Sequence, residues 1–211
     1  SAPGVMKRIK GIRERGEVVV IDLRRTETAA AADRHLFIRP GSDALLLAAM
    51  LRTLFDEGLV DAGALEGHVD GVQALDAALE GFTPEAVAGK TGIDADTTRG
   101  LARALAAADG GAFYGRMGAS TQAFGATCQW LINAFNLLSG NLDRTGGVMS
   151  AASASPLPLR EARCTLRAFG GGARLAACRG GLGCSGDGGR PRVLLRWAPS
   201  PGSLSRFAAA T

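Results

Sequence analysis

The sequence predicts an α/β fold in which a parallel sheet is flanked by helices, followed by a C-terminal tail of low order. One observation is an all-apolar run over residues 18–21 that ends on Asp22, as expected of a buried parallel strand. Another is the alternation of short extended segments with helical patterns over the first 150 residues. The last is that this alternation stops after Met149.

Helices are predicted from apolar residues at helical spacing and from capping residues. A short amphipathic helix precedes Gly16, and a long helix carrying Trp130 and Phe135 ends near Gly140. Between them, side chains that favour helix N-termini stand before three further helical patterns. The predicted caps are Ser42 or Asp43, Thr83 with Pro84 behind it, and Asp94.

Strands are predicted over residues 17–22, 35–38 and 112–115. The carboxyl ends of parallel strands meet at one edge of a sheet, which is where open α/β sheets bind ligands. We therefore expect Asp22 to lie at the same edge as Ser42 and Asp43, and residues 117–122 to converge on that edge too.

The charge is divided unevenly along the chain. Residues 1–150 carry 15 Lys and Arg against 18 Asp and Glu, whereas residues 151–211 carry 9 Arg against Glu161 and Asp187. The formal net charge of +4 therefore describes no single folded body, and it does not predict a nucleic-acid partner. There is no run of eighteen apolar residues, so no membrane span is predicted, and a cytoplasmic location is expected.

The composition divides the chain into a domain over residues 1–149 and a tail over residues 151–211. The tail has ten Gly, nine Arg and no sustained helical or strand period, so it is predicted to form no packed core. Two origins are open, a natural flexible linker and a GC-rich coding sequence read in the wrong frame. Its cysteines, Cys164, Cys178 and Cys184, match no metal-site spacing and are predicted to serve no site.

A carboxylate at a strand end suits ribose hydroxyls or guanine N–H donors, which makes Asp22 a candidate ligand; the alternative is that it caps the next helix. Ser42 and Asp43 either hold a nucleotide base or act only as a helix N-cap. Both roles can coexist, because a capping carboxylate has spare acceptor capacity.

Other candidates have weaker support. Arg24 and Arg25 are candidates to face phosphates; the alternative is that one of them forms a surface ion pair with Glu27. Met117 and Gln122 flank a turn at a predicted strand end, where a Met is more often used for packing than for ligand contact. Cys128 is predicted to be a buried apolar residue, and neither His35 nor His68 suggests a catalytic triad. The residues alone therefore indicate a binding domain with no visible catalytic or metal-ligating group.

Seven segments, taken in order, resemble the molybdopterin oxidoreductases. This family includes formate dehydrogenases, nitrate reductases and dimethyl sulfoxide reductases, which hold molybdenum or tungsten between two molybdopterin guanine dinucleotides. The segments are residues 20–29, 32–36, 40–46, 81–87, 91–93, 116–122 and 138–148.

The resemblance implies roles for particular positions. The turn after the first strand would contact one guanine dinucleotide, the acid of the Pro-Gly turn would meet guanine, and the segment from Met117 would touch the pterin side. Leu23 stands where the family usually has proline. The implied cofactor-binding residues are Asp22, Leu23, Arg24, Arg25, Thr26, Gly41, Ser42, Asp43, Met117 and Gln122.

The resemblance also implies that the chain is an internal fragment, inactive alone, whose partner is the rest of the parent polypeptide. In the family, the cysteines of the [4Fe–4S] cluster and the metal ligand lie upstream of this region. The parent would oxidise or reduce a small substrate such as formate or nitrate. Two alternatives are open: a molybdenum-free structural or electron-transfer subunit related to the family, and an unrelated α/β nucleotide-binding module.

Overall fold

A computed structural model describes residues 5–66 and 69–148 of the chain. The predictions for His68 and for residues 151–211 lie outside the described residues. The fold is mixed α/β with mostly helical elements, which confirms the predicted class. The elements are α1 Val5–Arg13, β1 Val19–Ile21, α2 Glu27–Ala31, β2 Arg34–Leu36, α3 Asp43–Asp56, α4 Val72–Leu79, α5 Pro84–Thr91, α6 Ala95–Ala106, α7 Met117–Ser120 and α8 Gly125–Leu138, with a 3-10 turn at Gly63–Leu65.

The strands β1 and β2 form a two-stranded parallel sheet, as predicted, although each is shorter than expected. They are connected by α2, a five-residue helix that the sequence analysis missed. Thr26 begins this helix, with its hydroxyl oxygen accepting a hydrogen bond from the backbone N–H of Ala29 at 3.3 Å. The register pairs Val19 with Arg34, Val20 with His35, and Ile21 with Leu36.

The strand predicted over residues 112–115 is wrong, because residues 111–116 are neither strand nor helix. The side chain of Asn136 takes the place of a neighbouring strand. Its Oδ1 accepts from the backbone N–H of Phe113 and its Nδ2 donates to the Phe113 carbonyl, both at 2.8 Å. Asn141 holds the same segment by accepting from the N–H of Gly111 at 2.9 Å. Two buried amides therefore fix a segment that looks like a strand in sequence.

Helix α3 forms the centre of the hydrophobic core. It packs against α4, α5, α6 and α8, and its residues from Ala44 to Leu51 are all buried. Cys128 on α8 is also fully buried, as predicted. The predicted caps Thr83 and Asp94 are confirmed, since they accept from the N–H groups of Ala86 and Thr97 respectively.

Helices α3 and α8 run in the same direction. Burial first and then the nearby Asp43 carboxylate together raise the pKa of the Cys128 thiol to about 12, so Asp43 in the first turn of α3 lies near Cys128 in the first turn of α8. At the other end, the N–H of Asp61 donates to the carbonyl of Leu138, the last residue of α8, at 2.8 Å. Both helix N-termini therefore lie at one end of the core.

Candidate cofactor-binding site

The loop that follows β1 holds Asp22 firmly while leaving one of its oxygens available. The backbone N–H of Asp22 donates to the carbonyl of Leu36 at 3.1 Å, which ends the strand ladder. Its Oδ1 accepts from the N–H of Arg24 at 3.0 Å. Within residues 5–66 and 69–148, Oδ2 has no hydrogen-bond partner. Asp22 does not cap the next helix, since Thr26 occupies that position, so that alternative is wrong.

The arginines of this loop carry charge that nothing else in the described chain neutralises. Arg24 and Arg25 are exposed, and neither forms an ion pair with any described residue, Glu27 included. Leu23 between them and Asp22 is 59% exposed. The loop thus presents two free guanidinium groups beside a carboxylate, which suits a ligand that carries both phosphates and hydrogen-bond donors.

The loop after β1, residues 22–26, is the first arm of the site, and the turn before α3, residues 39–43, is the second. The Arg39 carbonyl accepts from the N–H of Ser42 at 3.2 Å, with Pro40 and Gly41 between them and Gly41 at φ +79°. Proline followed by a residue at positive φ is the pattern of a type II turn. The Ser42 hydroxyl donates to the same carbonyl at 2.6 Å. Ser42 therefore occupies the N-cap position, but its side chain closes the turn and caps no helical N–H.

Asp43 is the first residue of α3 and is half-buried. Its carboxylate makes no hydrogen bond or ion pair with any residue that the structure describes. Its two oxygens therefore remain available as acceptors for hydrogen-bond donors of a ligand.

The first two arms border one open groove of about 420 Å³. The second arm is anchored on α5, because the N–H of Arg39 donates to the carbonyl of Thr91 at 2.8 Å and its guanidinium donates to that of Gly89 at 2.6 Å. Phe37 lies on the groove with its side chain 62% exposed. The lining residues are Leu23, Phe37, Ile38, Arg39, Pro40, Thr91 and Gly92.

The third predicted arm is α7, which packs against α8. Met117 is 70% exposed, whereas Gln122 is half-buried and donates through Nε2 to the carbonyls of Gly118 and Ala119 at 3.3 and 3.4 Å. Gln122 therefore closes its own turn with its donor, and its amide oxygen bonds to no residue that the structure describes. At Gly125, where α8 begins, any side chain would overlap the carbonyl of Ser120.

The parallel direction of α3 and α8 relates the second and third arms. Asp43 opens α3, and α7 lies just before α8, so both arms are at the same end of this helix pair. Two helix N-termini at one end favour a negatively charged ligand there. Sequence reasoning did not predict the contact of His35 with the Asp22 carbonyl, nor the bonds by which Asn136 and Asn141 hold residues 111–113 ahead of α7. These contacts join segments that are apart in the chain.

Two absences hold for residues 5–66 and 69–148. No cluster of three or more His, Cys, Asp or Glu side chains could hold a metal ion. No helix there has the length and apolar character needed to cross a bilayer.

Comparison with known proteins relates the chain to large redox enzymes. No protein-family model matches it. It is 32% identical over 136 residues to formate dehydrogenase H of Escherichia coli K12, covering 64% of this chain and 19% of that protein. It is 32% identical over 146 residues to the thiosulfate reductase molybdopterin-containing subunit PhsA of Salmonella typhimurium LT2, covering 68% and 19%.

A nitrate reductase of Symbiobacterium thermophilum is 31% identical over 216 residues, covering 92% of this chain and 27% of that protein. An alignment of that extent runs past residue 149 into the segment predicted to be a natural linker or a misread frame, and the origin of that segment stays a prediction. Acetylene hydratase from Pelobacter acetylenicus shares the fold, with a TM-score of 0.64 and 24% identity over 70% of this chain and 20% of the other.

Over the segment that aligns, the chain belongs to the molybdopterin oxidoreductase family. This confirms the resemblance seen in the motifs and overturns the alternative of an unrelated nucleotide-binding module. The chain spans about a fifth of the length of the formate dehydrogenase and thiosulfate reductase that it matches.

Proposed function

We propose that this chain supplies part of one guanine dinucleotide site in a molybdenum or tungsten oxidoreductase of this family. One observation carries the proposal: two half-buried carboxylates, Asp22 and Asp43, retain unpartnered oxygens within the described chain, and the loops on which they lie border one groove. Both carboxylates therefore keep acceptor capacity that a ligand can use.

The chemistry of these groups fits a guanine nucleotide. Guanine presents N1–H and N2–H donors side by side, and a carboxylate is an acceptor with two oxygens that can take both. Asp43 is the proposed partner of guanine, and Asp22 of a ribose hydroxyl or a second guanine donor. Arg24 and Arg25 provide cations for a diphosphate.

The remaining proposed contacts are through the backbone or through apolar side chains. Gly41 and Ser42 shape the turn that presents Asp43, and Thr26 caps the helix behind the Asp22 loop. Leu23 offers an apolar contact, and Met117 with Gln122 would meet the pterin side.

When bound, the cofactor supplies two-electron redox chemistry at the metal, whereas the protein supplies binding, orientation and electrostatics. We propose that the metal ligand and a [4Fe–4S] cluster belong to the rest of the parent polypeptide, and that the substrate is a small molecule such as formate or nitrate. A cytoplasmic location stays a prediction from the sequence. The molybdenum-free alternative is disfavoured, because a subunit without cofactor would have no need for both acids.

The proposal is tested by calorimetric titration of the 211-residue chain with GDP and with ADP. We expect GDP to bind more tightly, because adenine lacks the N1–H and N2–H pair. Asp43→Asn should weaken GDP binding by about tenfold to a hundredfold, the effect of losing hydrogen bonds to a charged acceptor. The matched control is Asp96→Asn, which removes a carboxylate from the first turn of α6 and should leave affinity unchanged. Equal affinity for ADP, or an unaffected Asp43→Asn variant, would contradict the proposal.

A further inference from the structure

His35 lies on β2, in register with Val20, and its imidazole reaches across to the neighbouring strand end. Its Nε2 is 3.2 Å from the backbone carbonyl oxygen of Asp22. A carbonyl oxygen can only accept, so this contact is a hydrogen bond when Nε2 carries the proton. His35 is then a donor to the backbone of a proposed ligand residue.

This contact stands where the backbone ladder stops. The last ladder bond runs from the N–H of Asp22 to the carbonyl of Leu36, and the carbonyl of Asp22 then faces the imidazole. The side-chain donor satisfies that carbonyl while the chain leaves the sheet. The N–H of Arg24 then bonds to Asp22 Oδ1 at 3.0 Å, which forms the turn that fixes the carboxylate.

The imidazole is itself held by an aromatic contact. Its centroid lies 4.3 Å from that of the Phe37 ring, with an angle of 62° between the planes. Phe37 also lines the groove. One ring pair therefore connects the wall of the groove to the backbone of Asp22, and a change at His35 would reach the carboxylate without touching a ligand.

We propose that His35 is a positioning residue: its Nε2–H holds the Asp22 carbonyl at the strand end and so orients the Asp22 carboxylate for a guanine nucleotide. The identity of the ligand rests on the proposed function, whereas the positioning of the loop does not. In this role His35 contacts the protein backbone and Phe37, and it influences affinity through Asp22.

The test compares His35→Phe with His35→Gln in the full 211-residue chain. Phenylalanine keeps a ring against Phe37 but cannot donate, whereas glutamine keeps a donor at similar reach. We expect His35→Phe to weaken GDP binding and to speed amide exchange over residues 23–26, each by about tenfold, the upper range for one lost hydrogen bond. His35→Gln should recover most of both. Unchanged exchange in His35→Phe, or equal loss in the two variants, would overturn the proposal.

A spectroscopic measurement on the unmodified chain gives an independent result. In a ¹⁵N-edited spectrum of the neutral imidazole, His35 should be in the Nε2–H tautomer. The chain has two histidines, so the signals that remain in a His68→Gln variant belong to His35. The Nδ1–H tautomer would overturn the proposal even if both His35 variants failed to fold. If the unmodified chain binds no GDP, the proposed function fails, while tautomer and amide exchange still decide the role of His35.

Discussion

The helical core and the groove edge use apolar side chains in opposite ways. In α3, Leu46, Leu51 and Leu54 are at most 2% exposed, whereas Leu23 and Phe37 at the groove are 59% and 62% exposed. The apolar side chains of the core are therefore buried, whereas those at the groove edge are exposed to solvent near Asp22 and Asp43. Exposed apolar groups gathered with such acids are typical of a binding surface and contribute little to folding stability.

The largest expected difference in folding stability comes from replacing a phenylalanine by alanine in the core and at the groove edge. Phe135→Ala removes a fully buried ring and should lower the free energy of unfolding by about 3–5 kcal/mol, through lost transfer energy and a residual cavity. Phe37→Ala should change it by less than about 1 kcal/mol, since most of that side chain is in water. Urea denaturation of both variants measures the difference. Similar losses of unfolding free energy in the two variants would mean that Phe37 is a core residue, which would contradict the difference between the two regions.

A smaller effect on folding stability is expected from raising the pH, through the thiol of Cys128 near the first turn of α3. The pKa of its thiol is raised to about 12 by burial first and then by Asp43. The unfolded thiol loses its proton near its ordinary pKa of 9.0 and the folded thiol does not, so stability should fall as the pH rises from about 9 towards 12. The slope is at most about 1.4 kcal/mol per pH unit.

Urea denaturation at pH 8, 9 and 10 follows this loss, with Cys128→Ala as the control. The variant is expected to be less stable at pH 8, because it leaves a small cavity, but its stability should lack the thiol contribution to the pH dependence. Parallel pH profiles for the two proteins would show that the thiol is not shielded at the junction of α3 and α8.

The sequence predicted those parts of the fold that rest on local signals. Thr83 and Asp94 were identified as caps because capping depends on residues within one turn. The parallel strands followed from an apolar run ending on Asp22. The false strand at residues 112–115 shows the limit, since the partner of Phe113 is a side chain on α8 and not a strand. Periodicity carries no information about such a contact.

The candidate site was predictable to the extent that its residues stand at element ends. Asp22 and Asp43 were identified from a strand end and a helix start. Each has at least one carboxylate oxygen that accepts no hydrogen bond from the described residues. The role of Ser42 was not predictable in detail, because its hydroxyl could equally cap α3 or close the turn on Arg39. The contact of His35 with Asp22 was not predictable, because it depends on the register between β1 and β2.

The central claim is that two loops, those of Asp22 and of Asp43, together bind one guanine nucleotide. The most direct measurement is chemical-shift mapping of the ¹⁵N-labelled 211-residue chain during titration with GDP. The account predicts that the amides perturbed most fall in two separate segments, residues 22–26 and 41–43, and that they shift with a common dissociation constant. Residues 117–122 are assigned to the pterin side, which GDP lacks, and should shift less. Shifts confined to one segment, or centred on α4 and α6, would contradict it.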